Sequence, residues 1–202
     1  MTTVSASAGF LAEPASTPLR EQMHTTDRYA LGYVANLTRV WAQCPEALAT
    51  LSHGLALAVG VGRLEPRHRV VLATATGAVA GDSYCSIAWG SKLAATAGEQ
   101  AAAGVLTGDD SGLDPVEQAL ADWARRVTRA PSETTRQDVD RLRALGFDDE
   151  QVFAVTLFVA LRLAFSTVND ALGAVPDAEL AAQAPAAVLA AVTFGRPPAT
   201  AT

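Results

Sequence analysis

The sequence predicts an all-α protein with one helical domain, and three observations carry that expectation. Apolar residues recur at a spacing near 3.6. Alanine and leucine, both strong helix formers, are abundant, while 15 Gly and 10 Pro act as punctuation. With 202 residues, half of them apolar, the chain is long enough to bury roughly 70% of its unfolded surface in one core without a disulfide or metal.

In chain order, residues 1–26 read as a flexible arm, and helices are expected at 27–41, 45–60, 65–79, 82–97 and 99–107. The run Arg69 to Ala80 is β-branched enough to pass for a buried strand, and it is assigned helix because its neighbours are helical. Gly108-Asp109-Asp110-Ser111-Gly112 is a turn. The next helix, 114–129, opens with Asp114-Pro115, a side-chain acceptor followed by proline in the first turn. Thr135 and Asp138 form a capping-box-like start for 135–145, and Asp148-Asp149-Glu150 meets the dipole of 149–172. A last helix spans 177–192, the domain ends at 195, and the proline-rich tail 196–202 is expected to be disordered.

The greasiest stretch, Val152 to Val168, still contains Thr156, Arg162, Ser166 and Thr167, so no membrane span is expected. The N-terminus lacks a basic leader followed by an apolar block, which makes the cytoplasm the expected compartment. The net charge of −6 comes with scattered basic residues, which excludes nucleic acid as an expected partner. Cys44 and Cys85 lie too far apart in sequence for a cysteine-rich metal site, and His24, His53 and His68 lack ligand-type neighbours at metal spacing. Neither a metal nor a cofactor is expected.

Chemistry concentrates around Leu64-Glu65-Pro66-Arg67-His68-Arg69-Val70 and Asp82-Ser83-Tyr84-Cys85-Ser86-Ile87-Ala88-Trp89-Gly90. Positions 82, 85, 86 and 89 share one helical face, so Asp82, Cys85, Ser86 and Trp89 are candidates to line a small-molecule pocket, with Tyr84 beside them. The same four also make an ordinary N-cap, core cysteine, helix serine and core tryptophan. In the first turn of its helix Cys85 gains from the dipole, whereas Asp82 opposes its ionisation, which leaves the sign of the shift open. On this reading Cys85 reacts with thiol reagents faster than Cys44. Helix 149–172 carries Arg162, Ser166, Asn169 and Asp170 along one edge; Arg162 and Asn169 either line the pocket or close a structural network.

These two motifs resemble those of the AhpD-like/carboxymuconolactone decarboxylase superfamily, and residues 142–173 resemble the C-terminal half of its peroxidase-related branch. The resemblance implies an AhpD-like helical bundle, a homo-oligomer (trimer or hexamer), and a cysteine pair with a His/Glu relay that reduces hydroperoxides. The family's cysteine pair falls on Asp82 and Cys85, its histidine on Trp89 and its glutamate on Val70. Of those four groups only Cys85 is retained. The expected function is thiol-dependent (hydro)peroxide reduction by Cys85 without the usual relay. The alternatives are a non-redox decarboxylase, lyase or isomerase with Asp82 as acid or base, and a non-catalytic small-molecule-binding protein.

Overall fold

In the computed structural model, which describes residues 9–200, the ambiguous run 69–80 lies in a helix, α4 (Pro66–Ala80). Every residue from Val71 to Gly77 is buried, so α4 is apolar all round rather than amphipathic, which is why its periodicity is weak. Its buried hydroxyls are satisfied within the helix: Thr74 donates to the Val70 carbonyl at 2.8 Å and Thr76 to that of Leu72 at 2.7 Å.

The other helices pack around this one. α5 (Ser83–Ala97), α6 (Glu99–Thr107), α7 (Pro115–Arg129) and α9 (Asp149–Ala171) touch α4, while α3 (Pro45–Val61) lies along α9. Leu72, Leu93, Val105, Leu120, Val155 and Val159 are fully buried where these helices meet. Each such side chain contributes about 1.5–3 kcal/mol of hydrophobic stabilisation. α8 (Arg136–Ala144) joins α7 to α9 after a 3-10 turn at Pro131–Glu133. No strand occurs among the described residues, and the fold is all-α as expected.

Capping boxes start α7 at Asp114/Glu117, α8 at Thr135/Asp138 and α9 at Asp148/Gln151. The buried Glu117 also accepts from the Arg67 guanidinium at 2.9 Å, which ties the first turn of α4 to that of α7.

Two stretches depart from expectation. The stretch 27–41 is two helices, α1 (Pro18–Leu31) and α2 (Asn36–Trp41), because Gly32 adopts φ +86° and terminates α1. Residues 18–26, assigned above to the arm, are therefore helical: Thr17 caps α1 ahead of Pro18, and Arg20 Nε donates to the Ala42 carbonyl at 2.7 Å. Residues 1–8 lie outside the described residues. The stretch 177–192 splits at Pro185 into α10 (Ala178–Gln183) and α11 (Ala186–Ala191). In the tail, Ser83 Oγ donates to the Arg196 carbonyl at 2.7 Å and Ala199 N to that of Pro176 at 2.8 Å. Residues 201–202 lie outside the described residues.

α9 alone among the described helices is long and apolar enough to cross a membrane. Its inner face is committed to the core instead, with Arg162, Ser166 and Asn169 buried beside Val155 and Val159.

Candidate active site

Gly81, at φ +77°, ends α4 and lets the chain turn sharply into α5. Asp82 follows as N-cap, fully buried, its Oδ1 accepting from Cys85 N at 2.9 Å. A Cβ at Gly77 would stand 3.3 Å from both Cys85 Cβ and Ser86 Oγ, so the glycine lets α4 close over the start of α5. Cys85 is thereby left only 3% exposed.

The other wall is α9. Arg162 Nη2 lies 3.3 Å from Cys85 Sγ and Asn169 Nδ2 lies 3.9 Å from it. Asn169 is oriented by Trp41 Nε1, which donates to its Oδ1 at 2.8 Å, and Trp41 stacks on Phe165 with ring centroids 5.1 Å apart. Asp82, Cys85, Arg162 and Asn169 thus meet at one sulfur. Ser86 is buried beside them, and neither Ser86 Oγ nor Asp82 Oδ2 has a hydrogen-bond partner among the described residues.

Burial, then the Asp82 charge, push the Cys85 thiol up to about 12; Arg162 and a hydrogen bond from Ser166 oppose the rise. Desolvation, which disfavours the charged form, is the largest of these causes. This resolves the open sign and reverses the reactivity order expected from sequence, because Cys44 is exposed. With iodoacetamide at pH 8 we expect Cys44 to be alkylated first. The thiol form of Cys85 persists above the ordinary thiol range, so its alkylation rate should rise about tenfold per pH unit with no plateau near 9 in the folded protein. A plateau below pH 9, measured by mass spectrometry of the peptides, would contradict this environment.

Beside the sulfur, Leu55 and Val59 of α3, Val70 of α4 and Phe158 of α9 wall a cavity of about 500 Å³, into which Arg69, Trp89 and Arg162 bring polar groups. Cys85 is not among its walls; Arg162 touches both the cavity and the sulfur. Trp89 carries the Arg162 guanidinium 4.9 Å from its ring centroid and Lys92 Nζ at 4.2 Å. Burial and the Arg162 charge lower the Lys92 pKa.

Two expected members lie elsewhere. Tyr84 faces away from the cavity wall: its hydroxyl bonds to the Asp177 carboxylate, and its ring packs with Val40 and Ala174. It ties α5 to the chain entering α10 and is not among the walls of the cavity. Asp170 leaves the Arg162 edge for Arg196, 3.8 Å away, and burial together with the Asp82 charge pushes it up to about 6. Three residues were not foreseen. Trp41 joins from 128 positions away with no local signal. Lys92 falls one turn beyond Trp89, and Arg69 falls in the basic triplet 67–69, an unusual concentration for an acidic chain. Among the described residues no group of three His, Cys, Asp or Glu side chains is placed to hold a metal ion.

No family model matches the chain, and no curated protein matches it. Solved structures do. A peroxidase-related protein from Silicibacter sp. TM1040 superposes with a TM-score of 0.74 at 21% identity, covering 89% of this chain and 97% of its own. An alkylhydroperoxidase AhpD-core, peroxidase-related protein from Ralstonia eutropha JMP134 gives 0.70 at 20% identity, covering 87% and 96%. The debrominase Bmp8 gives 0.69 at 14% identity, covering 94% and 100%. A cysteine-to-alanine variant of that debrominase has been solved with 2,3,4-tribromopyrrole. The expected AhpD-like fold is thus present over nearly the whole chain.

Proposed function

We propose that this protein is a thiol-dependent reductase of small organic substrates, hydroperoxides among them, with Cys85 as the nucleophile. The observation that carries the proposal is the convergence of Asp82, Arg162 and Asn169 on one buried sulfur, which Arg162 links to an apolar cavity. Asp82 accepts the thiol proton as Sγ attacks the terminal peroxide oxygen, the O–O bond breaks, and the alkoxide leaving group takes up a proton to leave as alcohol. Arg162 holds charge on sulfur during the attack. The product, Cys85 sulfenic acid, is cleared by an external thiol: one equivalent forms a mixed disulfide and water, and a second releases the Cys85 thiol. The peroxidase-related proteins of the same fold support this reading. The test is consumption of cumene hydroperoxide with dithiothreitol as reductant, compared between the wild type and Cys85→Ser. Equal rates in the two would overturn it.

A non-redox enzyme or a binding protein using the same cavity is the second reading. A thiol pushed up to about 12 favours it, because little thiolate is present at neutral pH. Bmp8, a debrominase of the same fold, supports only the broader point that this scaffold carries activities other than peroxide reduction.

The proposal includes a homo-oligomer in the cytoplasm. Of the 17 residues of α3 only Ala58 is buried, although the helix is mostly apolar, and Leu57, Phe153 on α9 and Tyr29 on α1 are 55%, 67% and 94% exposed. Light scattering should give a mass that is a multiple of 20.9 kDa, with trimer or hexamer expected. A monomer at micromolar concentration would count against an interface on these helices.

A further inference from the structure

Two cations lie against one indole and a third lines the same cavity, in a chain of net charge −6. Arg162 Cζ and Lys92 Nζ lie against the Trp89 ring, and Arg69 shares the cavity with Trp89 and Arg162. None of the three makes an ion pair among the described residues. Arg162 is only 7% exposed, and its Nε, like Arg69 Nε, is buried without a hydrogen-bond acceptor. Such an arrangement runs against the rule that a buried cation carries a partner. The sulfur of Cys85 is the sole acceptor the Arg162 side chain has among the described residues, and a neutral thiol is a weak one.

The remaining walls are aliphatic or aromatic, from Leu55, Val59, Val70 and Phe158. A fully solvated inorganic anion has nothing to gain from them, whereas an anion with an apolar body covers them and presents its charge to the two guanidinium groups. A carboxylate matches the planar fork of arginine with two acceptor oxygens.

We propose that the cavity between α3, α4, α5 and α9 binds a small monocarboxylate with an apolar body, its carboxylate held by Arg69 and Arg162 beside Trp89. The inference rests on the reading of this cavity as the substrate site. It names the substrate class as an organic acid, which for the redox chemistry means an acid carrying the hydroperoxide on its apolar portion. Lys92, 4.2 Å from the indole centroid, adds to the positive field around Trp89.

Octanoate titrated into the full-length protein, followed by isothermal calorimetry and by tryptophan fluorescence, tests the assignment. Octanoate should bind with 1:1 stoichiometry per chain and alter the fluorescence, while 1-octanol, of the same length and uncharged, should bind at least about tenfold more weakly. Arg69→Gln removes a cation that is not fully buried, leaves the fold intact, and should weaken octanoate about tenfold without changing octanol. Cys85→Ser should bind octanoate like the wild type. Equal affinity for acid and alcohol, an unaffected Arg69→Gln, or no binding at millimolar octanoate would each overturn the carboxylate site. The two proposals fail separately: Cys85-dependent peroxide reduction without octanoate binding removes the substrate class and keeps the chemistry. Octanoate binding with peroxide reduction unaffected by Cys85→Ser does the reverse.

Discussion

In Cys85→Ser, hydroperoxide reduction should fall to the rate of protein-free buffer, while Cys44→Ser should keep most of the wild-type rate. Serine is close in size to cysteine and still accepts a hydrogen bond from Arg162, so the environment at 3.3 Å from Nη2 survives. The hydroxyl cannot form a sulfenic acid, however, and no other thiol lies at the site among the described residues. Cys44 is exposed at the start of α3, whereas Cys85 lies under Gly77 and α9. Intact mass after a peroxide pulse should show a gain of about 16 Da in the wild type and in Cys44→Ser, and none in Cys85→Ser. Loss of turnover in both variants would mean that the two thiols approach each other during the reaction, and the single-cysteine cycle would have to be abandoned.

The helices were legible wherever local chemistry sets them. Asp114-Pro115, Thr135/Asp138 and Asp82 name their own caps, and the structure places a cap at each. Residues 69–80 were ambiguous because propensity favours a strand there; contact with helices on several sides decides the matter, and no local pattern records that. The breaks at Gly32 and Pro185 had visible signals, a glycine in αL and a proline, yet the apolar period continues across both and masks them. At the site, positions 82, 85, 86 and 89 followed from helical spacing alone. Tyr84, one residue from Cys85, necessarily leaves on another face. The partners from α2 and α9 depend on tertiary packing, and Trp41 gave no warning of its bond to Asn169. The thiol's acidity was illegible for a related reason: the dipole can be read from position in the helix, but the burial that pushes the thiol up belongs to the whole fold.

Asp82→Asn should separate the two roles that Asp82 combines. As an N-cap, asparagine is about as good as aspartate, so α5 keeps its first turn and thermal stability should change by about 0.5 kcal/mol or less. As a charge, Asp82 raises the Cys85 pKa both through space and as the acceptor of the thiol hydrogen bond. Removing the carboxylate should therefore bring the thiol down from about 12, and Cys85 should be alkylated faster by iodoacetamide at fixed pH. Peroxide reduction should move the other way. Most Cys85 remains protonated at neutral pH, so attack needs an acceptor for its proton, and loss of a positioned base costs about 10²-fold or more. A variant with faster alkylation and slower peroxide reduction identifies Asp82 as the proton acceptor. If both rates rise together, the carboxylate serves only as cap and electrostatic brake, and the proton leaves by another route. Asp82→Ala removes cap and charge together: it should cost about 1 kcal/mol, which Asp82→Asn does not, and show the same divergence of rates, because it too lacks the carboxylate.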